Sequence, residues 1–295
     1  MAIKPTRFGL SCAISTPMQA NGAVDLPALV DHARWVLSEG CDSVTLFGTT
    51  GEGAGLTMRD RDRMIGAVLG AGIDPGRQLL AGVVAPALED AVAQAKAALD
   101  AGFRGLLLTP PFYFKGVDED GLFAWHAAFF EALKGQARGV FVYHLPSQTA
   151  VPLSVGFVDR LKKAFPGVVV GVKDSSANWE TAEAFLKAHG ELAILVGDET
   201  QLARAVREVG EGAICGVANI VPGWLRPLVY EGKDNPRINA LVKAIVSMPV
   251  MAAVKALAGY RHGASAGFST MRAPLRALTE DEKRRLFAAY DALAS

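Results

Sequence analysis

Short apolar runs alternate with amphipathic stretches along most of the chain. Eight runs are predicted as strands: 9–15, 43–48, 79–84, 105–111, 139–146, 168–174, 192–198 and 212–219. Stretches between them, such as LPALVDHARWVLSEG, place apolar residues at i, i+3, i+4 and i+7, which predicts helices. Because the runs are apolar throughout rather than alternating, we expect strands that are covered on both faces, as in a parallel sheet.

This repeat predicts an α/β fold, a (β/α)8 TIM barrel with a C-terminal helical extension. The barrel is expected over residues 1–232, and the purely helical patterns of residues 233–295 predict a helical subdomain packed on it. A doubly wound open sheet is the alternative, but the first predicted strand is not followed by the GxGxxG pattern of such folds. We expect left-handed residues to end helices at Gly40, Gly102 and Gly210.

Composition narrows the possible functions. Thirty basic residues balance thirty acidic residues, so there is no electrostatic basis for binding nucleic acid or an anionic membrane. No apolar stretch is long enough for a membrane span and no signal peptide is recognisable, so we expect a soluble, cytoplasmic protein. Cys12, Cys41 and Cys215 form no CxxC pair and are expected to be buried small side chains rather than disulfide or zinc ligands. The histidines have no ligand spacing, so no metal site is predicted.

The stretch VVVGVKDSS, residues 168–176, ends a predicted strand with a lysine, Lys173. Lysine is rarely buried, and the carboxyl ends of barrel strands carry the active site. Exclusion of water favours the neutral form of an amine. A neutral lysine condenses with a ketone to a Schiff base, in which a C–C bond can form or break. Alternatively, Lys173 reaches the solvent at the rim or pairs with Asp174.

Two neighbouring strand ends carry hydroxyl groups. Tyr143 ends the fifth predicted strand and could transfer the protons that such chemistry requires, or it could be a core tyrosine with a satisfied hydroxyl. Thr49 and Thr50 lie in the loop GTTGEG, where glycines allow backbone N–H groups to approach a carboxylate. The alternative is an ordinary turn in which Glu52 caps the next helix.

Taken together, these motifs resemble those of the dihydrodipicolinate synthase and N-acetylneuraminate lyase family over nearly the whole chain: GTTGEG, PPFYFK, YHLPSQT, GVKDSS and GDE. The resemblance implies a lyase that forms a Schiff base between Lys173 and pyruvate or another 2-oxo acid, without a metal or organic cofactor. It implies proton transfer by Tyr143 and Thr49, and a homotetramer in which Tyr113 enters the site of a neighbouring subunit. The predicted substrate-binding residues are Gly48, Thr50, His144, Gln148, Gly197, Asp198 and Ile214.

Departures from the family pattern concern the second substrate. Dihydrodipicolinate synthases of the family carry an arginine at the position of Gln148, where it binds the carboxylate of the incoming aldehyde. Glutamine cannot provide that charged, bidentate pairing. His144 replaces an asparagine that often follows the tyrosine, and it either contacts substrate or bonds a neighbouring loop.

We therefore favour an aldolase or dehydratase that acts on pyruvate together with an aldehyde or a sugar acid. The first alternative is 4-hydroxy-tetrahydrodipicolinate synthase of lysine biosynthesis. The others are a non-catalytic barrel that binds a 2-oxo acid and a metal-dependent aldolase that uses Glu52 and Asp198.

Overall fold

Eight parallel strands form a nearly closed barrel in the structure, a computed structural model that describes residues 8–263 and 267–295. They are β1 Gly9–Ala13, β2 Ser43–Leu46, β3 Leu79–Val83, β4 Gly105–Leu108, β5 Val140–His144, β6 Val169–Asp174, β7 Ala193–Val196 and β8 Gly212–Cys215. Consecutive strands pair with each other from β1 through to β7, and β8 pairs with β1. The TIM-barrel prediction is confirmed, and the doubly wound alternative is wrong.

Helices connect the strands and continue beyond them. They are α1 Leu26–Ser38, α2 Met58–Gly70, α3 Pro75–Gln78, α4 Leu88–Asp100, α5 Glu119–Ala132, α6 Pro146–Thr149, α7 Val155–Ala164, α8 Trp179–Ala188, α9 Leu202–Arg207, α10 Pro222–Glu231, α11 Pro236–Val246, α12 Val250–Arg261 and α13 Glu280–Ala294. The helical patterns predicted in the C-terminal part are confirmed as α11 to α13, whereas residues 267–279 form no helix. Among the described residues, no helix has both the length and the apolar character needed to cross a bilayer.

Each observed strand is shorter than the apolar run that predicted it. The run 43–48 shows why: Phe47 is buried, but its backbone is left-handed with φ 63°, which ends β2 at Leu46. Apolar residues therefore continue into the loops at the mouth of the barrel, where burial rather than sheet pairing explains their hydrophobicity.

Two of the three predicted helix-ending glycines are left-handed. Gly40 has φ 113° and Gly102 has φ 84°, as expected. The prediction for Gly210 is wrong, because Val209 takes the left-handed conformation there, with φ 67°. Gly210 is required for a different reason: a Cβ at this position would lie 2.8 Å from the carbonyl oxygen of Ala205.

The register of β5 and β6 determines which side chains enter the barrel. Successive residues of a strand point to opposite faces, and Tyr143 belongs to the cluster that fills the barrel interior. Tyr143 pairs with Lys173 and His144 pairs with Asp174 in the ladder between the two strands. Lys173 therefore lies beside Tyr143, while the next residue on each strand is directed towards the helices.

Candidate active site

A cavity of about 680 Å³ lies at the carboxyl ends of the strands. Its base includes Lys173, Tyr143 and Ile214, and one wall includes Thr49 and Thr50. Helices α11 and α12 line the opposite side with mainly aliphatic residues: Val242, Ile245, Val246, Val250, Met251 and Val254. The C-terminal helices thus form part of the cavity.

Lys173 is buried at the base of this cavity, with 6% of its surface exposed. Its Nζ donates a hydrogen bond of 3.2 Å to the Tyr143 hydroxyl and lies 4.4 Å from the centre of the tyrosine ring. Asp174, the carboxylate next to it in sequence, is on the other face of β6. Neither alternative for Lys173, exposure at the rim or pairing with Asp174, matches this placement.

The Tyr143 hydroxyl is surrounded by polar partners. Burial raises the pKa of this phenol, but the positive charge of Lys173 and hydrogen bonds with Ser175, Thr49 and Lys173 lower it by more. The net result is a pKa below the ordinary value of 10.0. A pKa nearer to neutral pH makes the phenol easier to deprotonate, which suits a group that transfers protons.

Tight backbone packing fixes the threonine loop, residues 48–53. A Cβ on Gly51 would lie 2.5 Å from the carbonyl oxygen of Ile14, and a Cβ on Gly53 would lie 1.8 Å from that of Phe47. These glycines are therefore required by the close approach of backbone to backbone. Gly48 begins the loop and does not line the cavity.

The alternative for this loop, in which Glu52 caps the next helix, is wrong. Thr57 caps α2 instead, through a capping box with Asp60. The Glu52 carboxylate is buried and forms an ion pair with Lys255 of α12.

The loop after β7 forms the polar wall of the cavity. A Cβ on Gly197 would lie 2.2 Å from the Ser175 hydroxyl oxygen, so glycine leaves space for that hydroxyl. The Asp198 carboxylate accepts hydrogen bonds from the backbone and side chain of Thr200, at 2.9 and 2.7 Å, and from Gln201 at 3.1 Å. Both predicted residues of this loop thus line the cavity, together with Ile214 from β8.

Two polar residues of the cavity were missed by the sequence reasoning. Ser175 bonds the Tyr143 hydroxyl, and it lies in the quoted motif KDSS. Glu199 ends the quoted motif GDE and is 9% exposed. Its Oε1 accepts the Val217 N–H at 3.1 Å, and burial raises the pKa of the carboxyl. Both motifs were noted, but only Lys173 was selected from the first, and only Gly197 and Asp198 from the second.

A second cavity of about 320 Å³ adjoins the first and shares Thr49 and Gln148 with it. Gln148 lies in α6, with an exposed side chain that borders both cavities. Phe112 and Arg272 also line the smaller cavity. Gln148 is therefore at the position expected of a residue that contacts a second substrate.

His144 is not brought to the cavity, so its predicted substrate contact is not supported. It points away from the barrel interior, where its Nδ1 accepts the Leu153 N–H at 2.9 Å and its ring packs edge-on against Phe185. Its Nε2 lies 3.9 Å from Asp174 Oδ1. Burial lowers the pKa of His144 and raises that of Asp174, so burial opposes the charged form of each. This is the loop-bonding alternative for His144.

Tyr113 also lies outside the cavity of its own chain. Its side chain is 72% exposed, and its ring packs edge-on against the equally exposed Phe114. In one chain, Tyr113 therefore has no contact with Lys173 or Tyr143.

The three cysteines are free and buried, as predicted. Within residues 8–263 and 267–295, no group of three or more His, Cys, Asp or Glu side chains is arranged to hold a metal ion. Glu52 and Asp198, the ligands of the metal-dependent alternative, bond Lys255 and the Thr200–Gln201 turn respectively.

Fold and cavity define a (β/α)8-barrel protein with a lysine-centred site. A model of the dihydrodipicolinate synthetase family matches residues 7–293, and the chain belongs to this family. It is a lyase of the family, which confirms the resemblance carried by the motifs.

Individual relatives agree with this assignment. A crystal structure of dihydrodipicolinate synthase from Agrobacterium tumefaciens str. C58 is 50% identical with a TM-score of 0.95, covering 98% of this chain and 100% of that chain. A 4-hydroxy-tetrahydrodipicolinate synthase of Anaeromyxobacter sp. (strain K) is 36% identical, covering 80% of this chain and 78% of the relative. YagE from E. coli K12, solved in complex with pyruvate, shares the fold at 19% identity and a TM-score of 0.88, covering 98% of this chain and 99% of that chain.

Proposed function

We propose that this lyase forms a Schiff base between Lys173 and pyruvate or a related 2-oxo acid, and uses it for aldol chemistry or dehydration. The observation that carries this proposal is the buried Lys173 amine 3.2 Å from the Tyr143 hydroxyl, at the base of the cavity. The pyruvate found in YagE supports the choice of 2-oxo acid.

The arrangement supports a complete proton path. The Lys173 nitrogen first gives up a proton and then, as the neutral amine, adds to the ketone carbon; the carbonyl oxygen takes up protons and leaves as water. We assign the transfer of those protons to Tyr143, because its hydroxyl accepts a hydrogen bond from the Lys173 nitrogen and also has hydrogen bonds with Thr49 and Ser175. The resulting iminium draws electrons from the adjacent carbon, so no other electron sink is required. We assign binding of the 2-oxo acid carboxylate to Thr50, which lines the cavity, and to the loop amides.

The second substrate is proposed to be an aldehyde or a sugar acid. Gln148 occupies the position where an arginine would bind the carboxylate of aspartate semialdehyde, and an amide cannot make that bidentate pairing. The polar wall formed by Ser175, Asp198 and Glu199 offers partners for hydroxyl groups. The second candidate is 4-hydroxy-tetrahydrodipicolinate synthase, which the name of the Anaeromyxobacter relative favours.

We also propose a homotetramer built from dimers that exchange Tyr113. The exposed pair Tyr113 and Phe114 is apolar surface that a second copy would cover. The smaller cavity beside Thr49 offers an entry for a partner's side chain. The free, buried thiols support a reducing, cytoplasmic compartment.

Borohydride trapping tests the Schiff base. Incubation with pyruvate and borohydride is expected to add one reduced pyruvyl group per chain, on Lys173, as located by peptide mass spectrometry. Lys173→Met should form no adduct, and Lys163→Met, which changes an exposed lysine of α7, should react like the unaltered protein. Absence of an adduct at saturating pyruvate would contradict the proposal. Turnover of aspartate semialdehyde with pyruvate would select the second candidate.

A further inference from the structure

A buried ion pair links the threonine loop to the C-terminal helices. Glu52 Oε1 and Lys255 Nζ are 2.6 Å apart, and the two side chains are only 2% and 1% exposed. Lys255 lies in the middle of α12 and also donates a hydrogen bond of 2.6 Å to the carbonyl oxygen of Thr270. The pair thus connects three separate segments of the chain, beside the proposed catalytic groups.

The backbone of Glu52 is bonded directly to the first threonine. The Glu52 N–H donates to the Thr49 carbonyl oxygen at 3.0 Å, and the Gly53 N–H donates to the Gly48 carbonyl oxygen at 3.0 Å. Glu52 itself is left-handed, with φ 59°. A non-glycine residue keeps this conformation only when its surroundings impose it. Displacement of Glu52 would therefore displace Thr49 and Thr50.

Arg272 holds the same loop from the C-terminal segment. Its backbone N–H donates to Glu52 Oε2 at 3.3 Å, and its Nη1 donates to the Gly55 carbonyl oxygen at 2.7 Å and to Asp60 at 2.8 Å. Most bonds in this network end on Glu52, on Gly55 just after the loop, or on the first turn of α2. Two others end on the carbonyl oxygens of Thr270 and Gly22. None of them reaches the Lys173 end of the cavity.

Packing alone does not require charges at these positions. An apolar pair of similar volume fills such a site as well or better, because burying two charges costs desolvation energy. Unlike apolar contact, a hydrogen-bonded ion pair is directional. It fixes the position of the Glu52 carboxylate and therefore that of the Glu52 backbone.

We infer that Glu52 and Lys255 are positioning residues, which hold Thr49 and Thr50 where they bind the 2-oxo acid carboxylate and pass protons to Tyr143. This inference rests on the proposed Schiff-base function. It also gives the C-terminal helices a role in catalysis, since α12 supplies the cation.

The test compares variants by the pyruvate concentration that gives half-maximal borohydride trapping, and by the melting temperature. The double variant Glu52→Gln with Lys255→Met keeps the volume but removes both charges. It is expected to raise the half-maximal pyruvate concentration about tenfold or more, with Lys173 still the trapped residue. Arg272→Met changes a partly exposed side chain and should raise the half-maximal pyruvate concentration several-fold. This variant replaces the double variant in the test if the double variant does not fold.

The matched control removes a pair at the surface of the same C-terminal region: Arg276→Met with Glu282→Gln. It should leave the half-maximal pyruvate concentration unchanged. A purely structural ion pair would lower the melting temperature of the double variant without changing this concentration, and that result would overturn the inference. If the unaltered protein forms no adduct, the Schiff-base proposal fails first and the inference fails with it.

Discussion

The protonation of the Tyr143 phenol depends on its neighbours. Burial alone would raise its pKa, so a pKa below 10.0 depends on the charge of Lys173 and on hydrogen bonds with Ser175, Thr49 and Lys173. Removal of the cation takes away both a favourable charge and one hydrogen-bond donor. The phenolate would then be less stable than it is in the unaltered protein.

We therefore expect Lys173→Met to raise the pKa of Tyr143. The measurement is a titration of phenolate absorbance in the near ultraviolet, as the difference between each protein and the same protein carrying Tyr143→Phe. This subtraction removes the other four tyrosines, among them Tyr230, whose pKa burial raises to about 12. An unchanged or lower pKa in Lys173→Met would show that the lysine does not control the phenol.

At the scale of elements, the junction after β7 depends on the absence of a side chain. A Cβ on Gly197 would lie 2.2 Å from the Ser175 hydroxyl oxygen and 3.1 Å from the Asp174 carbonyl oxygen. Gly197→Ala must displace Ser175 and so remove one partner of Tyr143. We expect kcat to fall about tenfold to a hundredfold, as misplacement by about 1 Å costs, with a smaller change in KM for pyruvate.

Gly66→Ala in α2 is the control for this substitution. Gly66 is exposed within the helix, with nothing within 4 Å of an added Cβ. We expect unchanged kcat and a gain of about 0.5–1 kcal/mol in the free energy of unfolding, because alanine favours the helix. Equal loss of kcat in both variants would contradict the role assigned to the junction.

Apolar periodicity predicts all eight strands, because burial on both faces leaves a continuous signal in each. The same signal conceals which way a side chain points. Tyr143 and His144 are adjacent in a strand without polar alternation, so only the ladder register assigns one to the cavity and the other to the helix side. Lys255 is beyond prediction from local pattern, since its partner Glu52 is 203 residues away.

At the scale of the whole molecule, a single chain lacks one of the predicted catalytic groups in its cavity, because its own Tyr113 is exposed and lies elsewhere. If a partner supplies this hydroxyl, Tyr113→Phe should keep the assembly state but lower kcat. Mixed assemblies of Tyr113→Phe with Lys173→Met chains should recover activity, because a Lys173 site would then receive an intact tyrosine from the other chain. Co-expression followed by turnover assays tests this, and no recovery in verified mixed assemblies would contradict the exchange.

Two histidines buried in the helix layers, His32 and His126, lower the stability of the fold in acid. His126 donates from Nδ1 to the Leu122 carbonyl oxygen at 2.8 Å, and its buried Nε2 has no partner among the described residues. His32 bonds His262 through Nδ1 and Asn219 through Nε2, each at 2.9 Å. Burial lowers the pKa of each imidazole from 6.5 to about 4. Protonation would thus place a charge on a buried ring, and in His126 the charged ring would have no acceptor for Nε2 among the described residues.

The free energy of unfolding is expected to fall in acid. Below pH 6.5 the unfolded chain binds protons at both histidines while the folded chain does not, so stability falls as the pH drops from about 6.5 to about 4. Each histidine accounts for a loss on the order of 3 kcal/mol at the acid limit. Urea unfolding at a series of pH values measures this loss. His126→Phe, which keeps a ring beside Phe157, should remove the share of one histidine, on the order of 3 kcal/mol, and an unchanged slope with pH in this variant would contradict the assignment.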